Sequence, residues 1–180
     1  MKKNKFKSKI VKLDLGCGLA KKKGYVGLDS VKLPGVDIVA DLNKKLPIED
    51  SSVDEVLARF VLEHVDNIFF TMEEIHRILK PGGKLTAFIP YWNSYYTFAD
   101  LQHTRGYVEN SFDCFTEDGA REYSSLNYYT KARYRIDRLE LEGGRLYWML
   151  RLVGLDGIAK RYLNNIVSTI HLEMRAIKKG

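Results

Sequence analysis

Three acidic residues close three successive short apolar runs: Asp14 in residues 9–15, Asp29 after residues 25–28, and Asp41 after residues 36–40. A carboxylate can accept two hydrogen bonds from neighbouring hydroxyls, so an acid at the end of a second strand suits a ribose. The turn Gly16-Cys17-Gly18 follows the first acid, and glycine there lets the backbone approach a ligand closely. If the three runs are adjacent parallel strands, their carboxyl ends share one crevice, where open α/β sheets bind ligands. The chemistry implied is recognition of a nucleoside.

Two ligand classes compete for such a crevice. A dinucleotide site opens a helix with Gly-x-Gly-x-x-Gly and has its acid about 20 residues on, because a pyrophosphate needs a helix N-terminus. Here Lys21 stands at the third glycine position, and only 10 residues separate Gly18 from Asp29. That gap is too short for a full helix. NAD is therefore poorly served, whereas S-adenosylmethionine (SAM), which has no phosphate, is not penalised.

The elements that must position these residues read as alternating strands and crossovers. Residues 53–58 alternate and run on into Arg59-Phe60, and residues 69–79 have helical spacing, stopped by Lys80-Pro81-Gly82-Gly83. Residues 84–89 read as the next strand. Residues 91–115 are aromatic and polar without a clean period, as in a functional lid. Residues 134–142 and 169–177 alternate as strands, and between them residues 145–166 read as a helix broken at Gly154 and Gly157 that covers the sheet or the active site. This is the pattern of an α/β protein with a mostly parallel sheet.

The segments Asp14-Leu15-Gly16-Cys17-Gly18, Gly27-Leu28-Asp29, Val39-Ala40-Asp41-Leu42, Ser52-Val53-Asp54-Glu55-Val56, Leu62-Glu63-His64-Val65 and Leu79-Lys80-Pro81-Gly82-Gly83-Lys84-Leu85 resemble, in that order, the class I SAM-dependent methyltransferases, closest to the type 11 group. The resemblance covers residues 9–90, with a weaker likeness in residues 103–112. It implies a Rossmann-like seven-stranded sheet of order 3-2-1-4-5-7-6 with the last strand antiparallel; here the first helix is shortened or absent. It also implies that Gly16, Cys17 and Gly18 form the turn under the methionine part of SAM, with Cys17 packing inside it. Asp14 would lie near the amino group. Asp29 would bind the ribose, Ser30 would flank the adenine, and Asp41 with Leu42 would hold its edge and face. Arg59 and Phe60 would lie beside the methionine.

Methyl transfer from a sulfonium is an in-line displacement that needs positioning and exclusion of water; a base is needed only for an acceptor that starts protonated. His64, just past the fourth strand, is the first base candidate, and His103 is the second. Tyr91, Trp92 and Arg105 are expected to contact the acceptor. The four histidines lack metal-ligand spacing with each other or with Cys, so no metal is expected. The sequence lacks both the Asn/Asp-Pro-Pro-Tyr/Phe turn typical of amino-group methyltransferases and a cysteine after the fourth strand. It leaves transfer to oxygen or nitrogen of a small molecule, a lipid or sugar intermediate, an RNA or a protein. A SAM-binding regulator without turnover and an RNA-directed enzyme using its basic tail are the alternatives.

Bulk properties agree with a globular enzyme. The 180 residues are 45% hydrophobic and 29% charged, with net charge +6. Residues 1–12 carry six lysines and no acid. Residues 1–8 are read as a basic tail and 9–180 as one domain, with 9–90 the cofactor half and 91–180 the substrate-side lid and closing strands. No apolar run reaches transmembrane or signal-peptide length, and two cysteines make no disulfide framework, so a cytoplasmic location is expected.

Overall fold

The computed structural model describes residues 11–178; the basic tail lies outside them. One sheet carries the molecule: β1 (Lys12–Leu15), β2 (Val26–Asp29), β3 (Ile38–Val39), β4 (Val53–Arg59), β5 (Leu79–Pro90), β6 (Tyr134–Gly143) and β7 (Val167–Ala176). Their order is β3-β2-β1-β4-β5-β7-β6, as anticipated. β1 to β5 pair in parallel, and β7 runs antiparallel to both β5 and β6.

α1 (Ile68–Ile78) is the main crossover helix. The Asn67 side chain caps it by accepting from the Phe70 amide, and Ile68, Met72, Ile75 and Ile78 are buried at helical spacing. The helix ends one residue earlier than the pattern suggested, and β5 begins at once rather than at Lys84. Leu79 is fully buried and pairs with Val53, the register then shifts, and Glu55 pairs with Lys84. The Pro-Gly-Gly stop is thus a bulge within the strand, and Gly82 has φ +74° there.

Among the described residues, no helix joins β1 to β2, β2 to β3, or β3 to β4. The expected shortening of the first helix extends to all three connections. The sheet has adapted to this. Leu13, Leu15, Val56, Ala58, Leu85, Ala87 and Ile89 are buried and join the core with α1. On the other face, Lys12, Glu55, Lys84 and Thr86 are half-buried beside the buried Asp14 and Leu57, with ion pairs Lys12–Glu55 at 2.8 Å and Lys84–Glu173 at 2.9 Å, and Phe88 stacked on His171 at 4.4 Å. A parallel sheet with one wetted face is unusual, and the period-two alternation of β5 and β7 is its signature.

The loop between β3 and β4 is held by a side chain instead of a helix. Arg77 donates to Glu74, Asp50 and the carbonyls of Leu46 and Ile48, while the Leu46 amide donates to Glu74. This anchors the segment that begins at Asp41.

The second half divides between core and surface. The aromatic stretch is split: Tyr91, Tyr107, Phe112 and Phe115 are buried, with Tyr107 and Phe112 stacked at 5.4 Å, whereas Trp92, Tyr95, Tyr96 and Phe98 are exposed around α2 (Tyr95–Ala99). Residues 145–166 form α3 (Arg145–Leu152) and α4 (Asp156–Tyr162), but their apolar side chains face outward; Tyr147 and Ala159 alone among the residues of the two helices are buried. Gly154, with φ +75°, makes the break, whereas Gly157 lies inside α4, in its first turn, where the missing side chain costs less than in a helix interior.

The one-sided core predicts unequal costs on the two faces of β5. Leu85→Ala should destabilise by about 2–5 kcal/mol, while Thr86→Ala should stay within about 1 kcal/mol. Urea unfolding of both variants measures this, and equal losses would contradict the assignment.

Candidate functional site

The carboxyl ends of β1 to β4 enclose a cleft of about 270 Å³. Gly16, Asp29, Ser30, Asp41, Leu42 and Phe60 line it, all of them among the residues singled out for the cofactor. Asn43, Val61, Val65 and Gln102 complete the wall with His64. Asn43 and Gln102 carried no sequence signal. A larger concavity, about 890 Å³, lies around Asp50, Ser51 and Arg77, before the start of β4 and so away from the strands' carboxyl ends.

The loop after β1 does the work of the absent helix. The Lys22 amide donates to Asp14 Oδ2 at 2.7 Å, the Gly18 amide to Asp29 Oδ2 at 2.9 Å, and the Cys17 amide to the Leu28 carbonyl at 3.2 Å. Gly16 has φ +59°, and a Cβ there would lie 2.3 Å from Val61 Cγ2, so only glycine fits. Cys17 is buried, its sulfur occupies the space a Gly27 Cβ would need, and burial raises its thiol pKa.

Asp14 and Arg59 sit behind this loop rather than on the cleft wall. Asp14 is fully buried and pairs with Arg59 Nη2 at 2.9 Å, and the same nitrogen donates to the Ala20 carbonyl at 2.6 Å. Asp14 Oδ1 and Arg59 Nε are buried without partners. Such a complementary orphan pair, one acceptor and one donor, calls for an explanation. Phe60 holds φ +53°, strained for a residue with a side chain, at the point where β4 ends and the cleft begins.

The two histidines, read separately in the sequence, meet in the fold. His64 and His103 contact edge to face at 4.6 Å. The meeting is enforced by the backbone: Thr104 donates its amide and hydroxyl to the Glu63 carbonyl, Arg105 donates to the Asp66 carbonyl at 2.6 Å, and the Tyr107 hydroxyl donates to the Leu62 carbonyl. Arg105 is thus engaged with the backbone of residues 65–66. Tyr91 is a core residue whose hydroxyl donates to Glu109, and Trp92 is exposed beside Tyr95 and Phe98 in a separate hollow. Beside the histidines lies Glu63, only 1% exposed, with its carboxyl pKa pushed up to about 7 by burial and by repulsion from Asp100. Burial also lowers the His64 pKa. Sequence reasoning passed over Glu63; its apolar neighbours Leu62 and Val65 were the available sign that it is buried.

Residues 19–87 match the family model of a methyltransferase domain. A sterol 4-C-methyltransferase of Caenorhabditis elegans is 28% identical over 179 residues, covering 84% of this chain and 48% of that protein. A demethylmenaquinone methyltransferase of Listeria welshimeri is 31% identical over 119 residues, covering 59% of this chain and 47% of that one. The chain spans less than half the length of the curated relatives it matches first. Among solved structures, a SAM-dependent methyltransferase from Archaeoglobus fulgidus superimposes with a TM-score of 0.62 at 16% identity, over 94% of this chain and 87% of that one. The chain thus has the fold of that solved structure, and residues 19–87 are similar to a methyltransferase domain of the type 11 group.

Proposed function

We propose that this chain binds SAM in the cleft between Gly16, Asp29 and Asp41 and transfers its methyl group to oxygen or nitrogen of a small or medium-sized acceptor. The observation that carries this reading is the convergence of Gly16, Asp29 and Asp41 on one cleft; behind the glycine turn, Asp14 Oδ1 and Arg59 Nε are left without partners. They are complementary to the ammonium and carboxylate of an amino acid, while Asp29 and Asp41 front the nucleoside end of the cleft. An amino acid joined to a nucleoside has both ends matched. Asp29 already accepts from the amides of Gly18 and Val31, and each oxygen keeps a lone pair for a ribose hydroxyl. Leu42 and Phe60 offer apolar surface to the adenine and the sulfonium side respectively.

When bound, SAM supplies an electrophilic methyl group. The chain's own part is to hold the reacting atoms in line and to exclude water. His64, on the cleft wall, is the group placed to accept a proton from an acceptor hydroxyl or amine. Its lowered pKa keeps the ring neutral, the form that can act as a base.

An apolar acceptor is favoured by the surface of α3 and α4. Leu152 is 87% exposed, Tyr162 72% and Met149 64%, with Arg151 and Arg161 beside them. The two relatives named above are, by name, methyltransferases of a sterol and of demethylmenaquinone, and a lipid-type acceptor agrees with both. The name of the sterol 4-C-methyltransferase makes carbon the rival acceptor atom.

Isothermal titration should give saturable SAM binding, weakened about 10- to 100-fold by Asp29→Ala, the loss of hydrogen bonds to an ionised group. Undiminished affinity would remove Asp29 from the site. 5′-Methylthioadenosine, which lacks the amino acid end, should bind at least about 10-fold more weakly than SAM; equal affinity would remove the Asp14–Arg59 assignment. Turnover is read as S-adenosylhomocysteine released with a panel of quinols, sterols and RNA. Release with RNA alone would favour the nucleic-acid reading, and binding without release on any acceptor would favour a regulatory protein.

A further inference from the structure

Glu63, His64 and His103 each bring one ligand atom to within 4.8 Å of the others. SAM binding as proposed uses none of them; the base role of His64 and a metal bond at its one free ring nitrogen are alternatives. Both Glu63 carboxylate oxygens are buried without a hydrogen-bond partner. A buried acceptor left bare in this way costs more than a pairing interaction gains, so a resident partner is called for.

The histidines are arranged to supply that partner's remaining ligands. His103 Nδ1 lies 3.0 Å from the Thr97 carbonyl. A carbonyl only accepts, so Nδ1 carries the proton and Nε2 presents its lone pair, 3.8 Å from Glu63 Oε1. The His64 Nδ1 is buried with no partner. The His103 imidazole is therefore anchored on the backbone by one nitrogen with the other free, and His64 offers a second free ring nitrogen. Metal-ligating histidines are oriented in this way, through a hydrogen bond from the ring nitrogen that does not bind the ion.

We propose that Glu63, His64 and His103 form a binding site for a divalent first-row transition metal of the zinc class. Two imidazoles and one carboxylate, without thiolate, suit Zn²⁺ or Co²⁺ and disfavour Mg²⁺ and Ca²⁺, which take all-oxygen shells. Bonds of about 2.0–2.1 Å in a tetrahedral site hold ligand atoms about 3.4 Å apart, so the ion draws the three atoms inward by up to about 1.5 Å. His64 also lines the cleft, which puts the ion at the cleft wall with a fourth position for water or an acceptor oxygen. Lack of ligand spacing along the sequence is no obstacle, because the pairing of residues 104–107 with residues 62–66 brings His103 to His64.

The test is titration of chelator-treated protein with Zn²⁺ by calorimetry and with Co²⁺ by visible absorption. The expected result is one ion per chain, an intense four-coordinate Co²⁺ band, and affinity reduced more than about 10-fold by Glu63→Gln and by His103→Gln. No stoichiometric binding, or binding that survives both substitutions, overturns the site and leaves a proton shared between Glu63 and His103 as the account of the cluster. Circular dichroism checks that the variants fold. If one does not, paramagnetically shifted ring protons of His64 and His103 in the Co²⁺-loaded wild type carry the assignment, and their absence overturns it. SAM titration of the same metal-free sample reads the cofactor site separately.

Discussion

The cleft depends on the buried carboxylate of Asp14. The chain must return from β1 to β2 without a crossover helix, and Asp14 is the anchor that makes a short loop suffice: it accepts the Lys22 amide and pairs with Arg59 from β4. An unpaired carboxylate at zero exposure would cost several kcal/mol, so the ends of β1, β4 and the loop are held together as one unit. Asp29 repeats the device one strand over by accepting the Gly18 amide. Asp29, which lines the cleft, therefore also fixes the loop around it. Structure and ligand recognition are not separable roles here.

The economy of helices has a consequence for the whole sheet. With three connections made by loops, the face opposite α1 carries charged pairs, Lys12–Glu55 and Lys84–Glu173, among its side chains. The core is one-sided and rests on α1. Arg77, on the last turn of that helix, reaches the carbonyls of Leu46 and Ile48 and so steadies the loop leading from Asp41. A single helix thus packs the core and, through one guanidinium, braces a wall of the cleft.

Much of this was legible in the residues themselves. The positions of Asp14, Asp29 and Asp41 at strand ends, the short gap before Asp29, and the alternation of the last two strands gave the strands and the missing helix, because each is a local pattern; the order of the sheet came from the resemblance of the motifs to a known family. What was not legible depended on distant contacts. Leu79 joins the sheet because Val53 is there to pair with it. The aromatic residues after Pro90 read as a lid by their polarity, yet Tyr91 and Phe112 are core, because the bridge from Tyr91 to Tyr107 folds the segment back. Glu63 and His103 belong to different motifs, and only the pairing of Thr104 with the Glu63 carbonyl brings them together. Arg59 was placed beside a ligand; that it holds Asp14 at the same time could be learned only from the register of β1 against β4.

The central claim, that the cleft at the carboxyl ends of β1 to β4 is a SAM site, is tested most directly by a two-dimensional amide NMR titration with S-adenosylhomocysteine, which maps contact without requiring an acceptor. The account predicts saturable shifts concentrated at Gly16, Gly18, Ser30, Leu42 and Phe60. No shifts at saturating ligand, or shifts centred instead on the open concavity around Arg77 and Lys131, would contradict it.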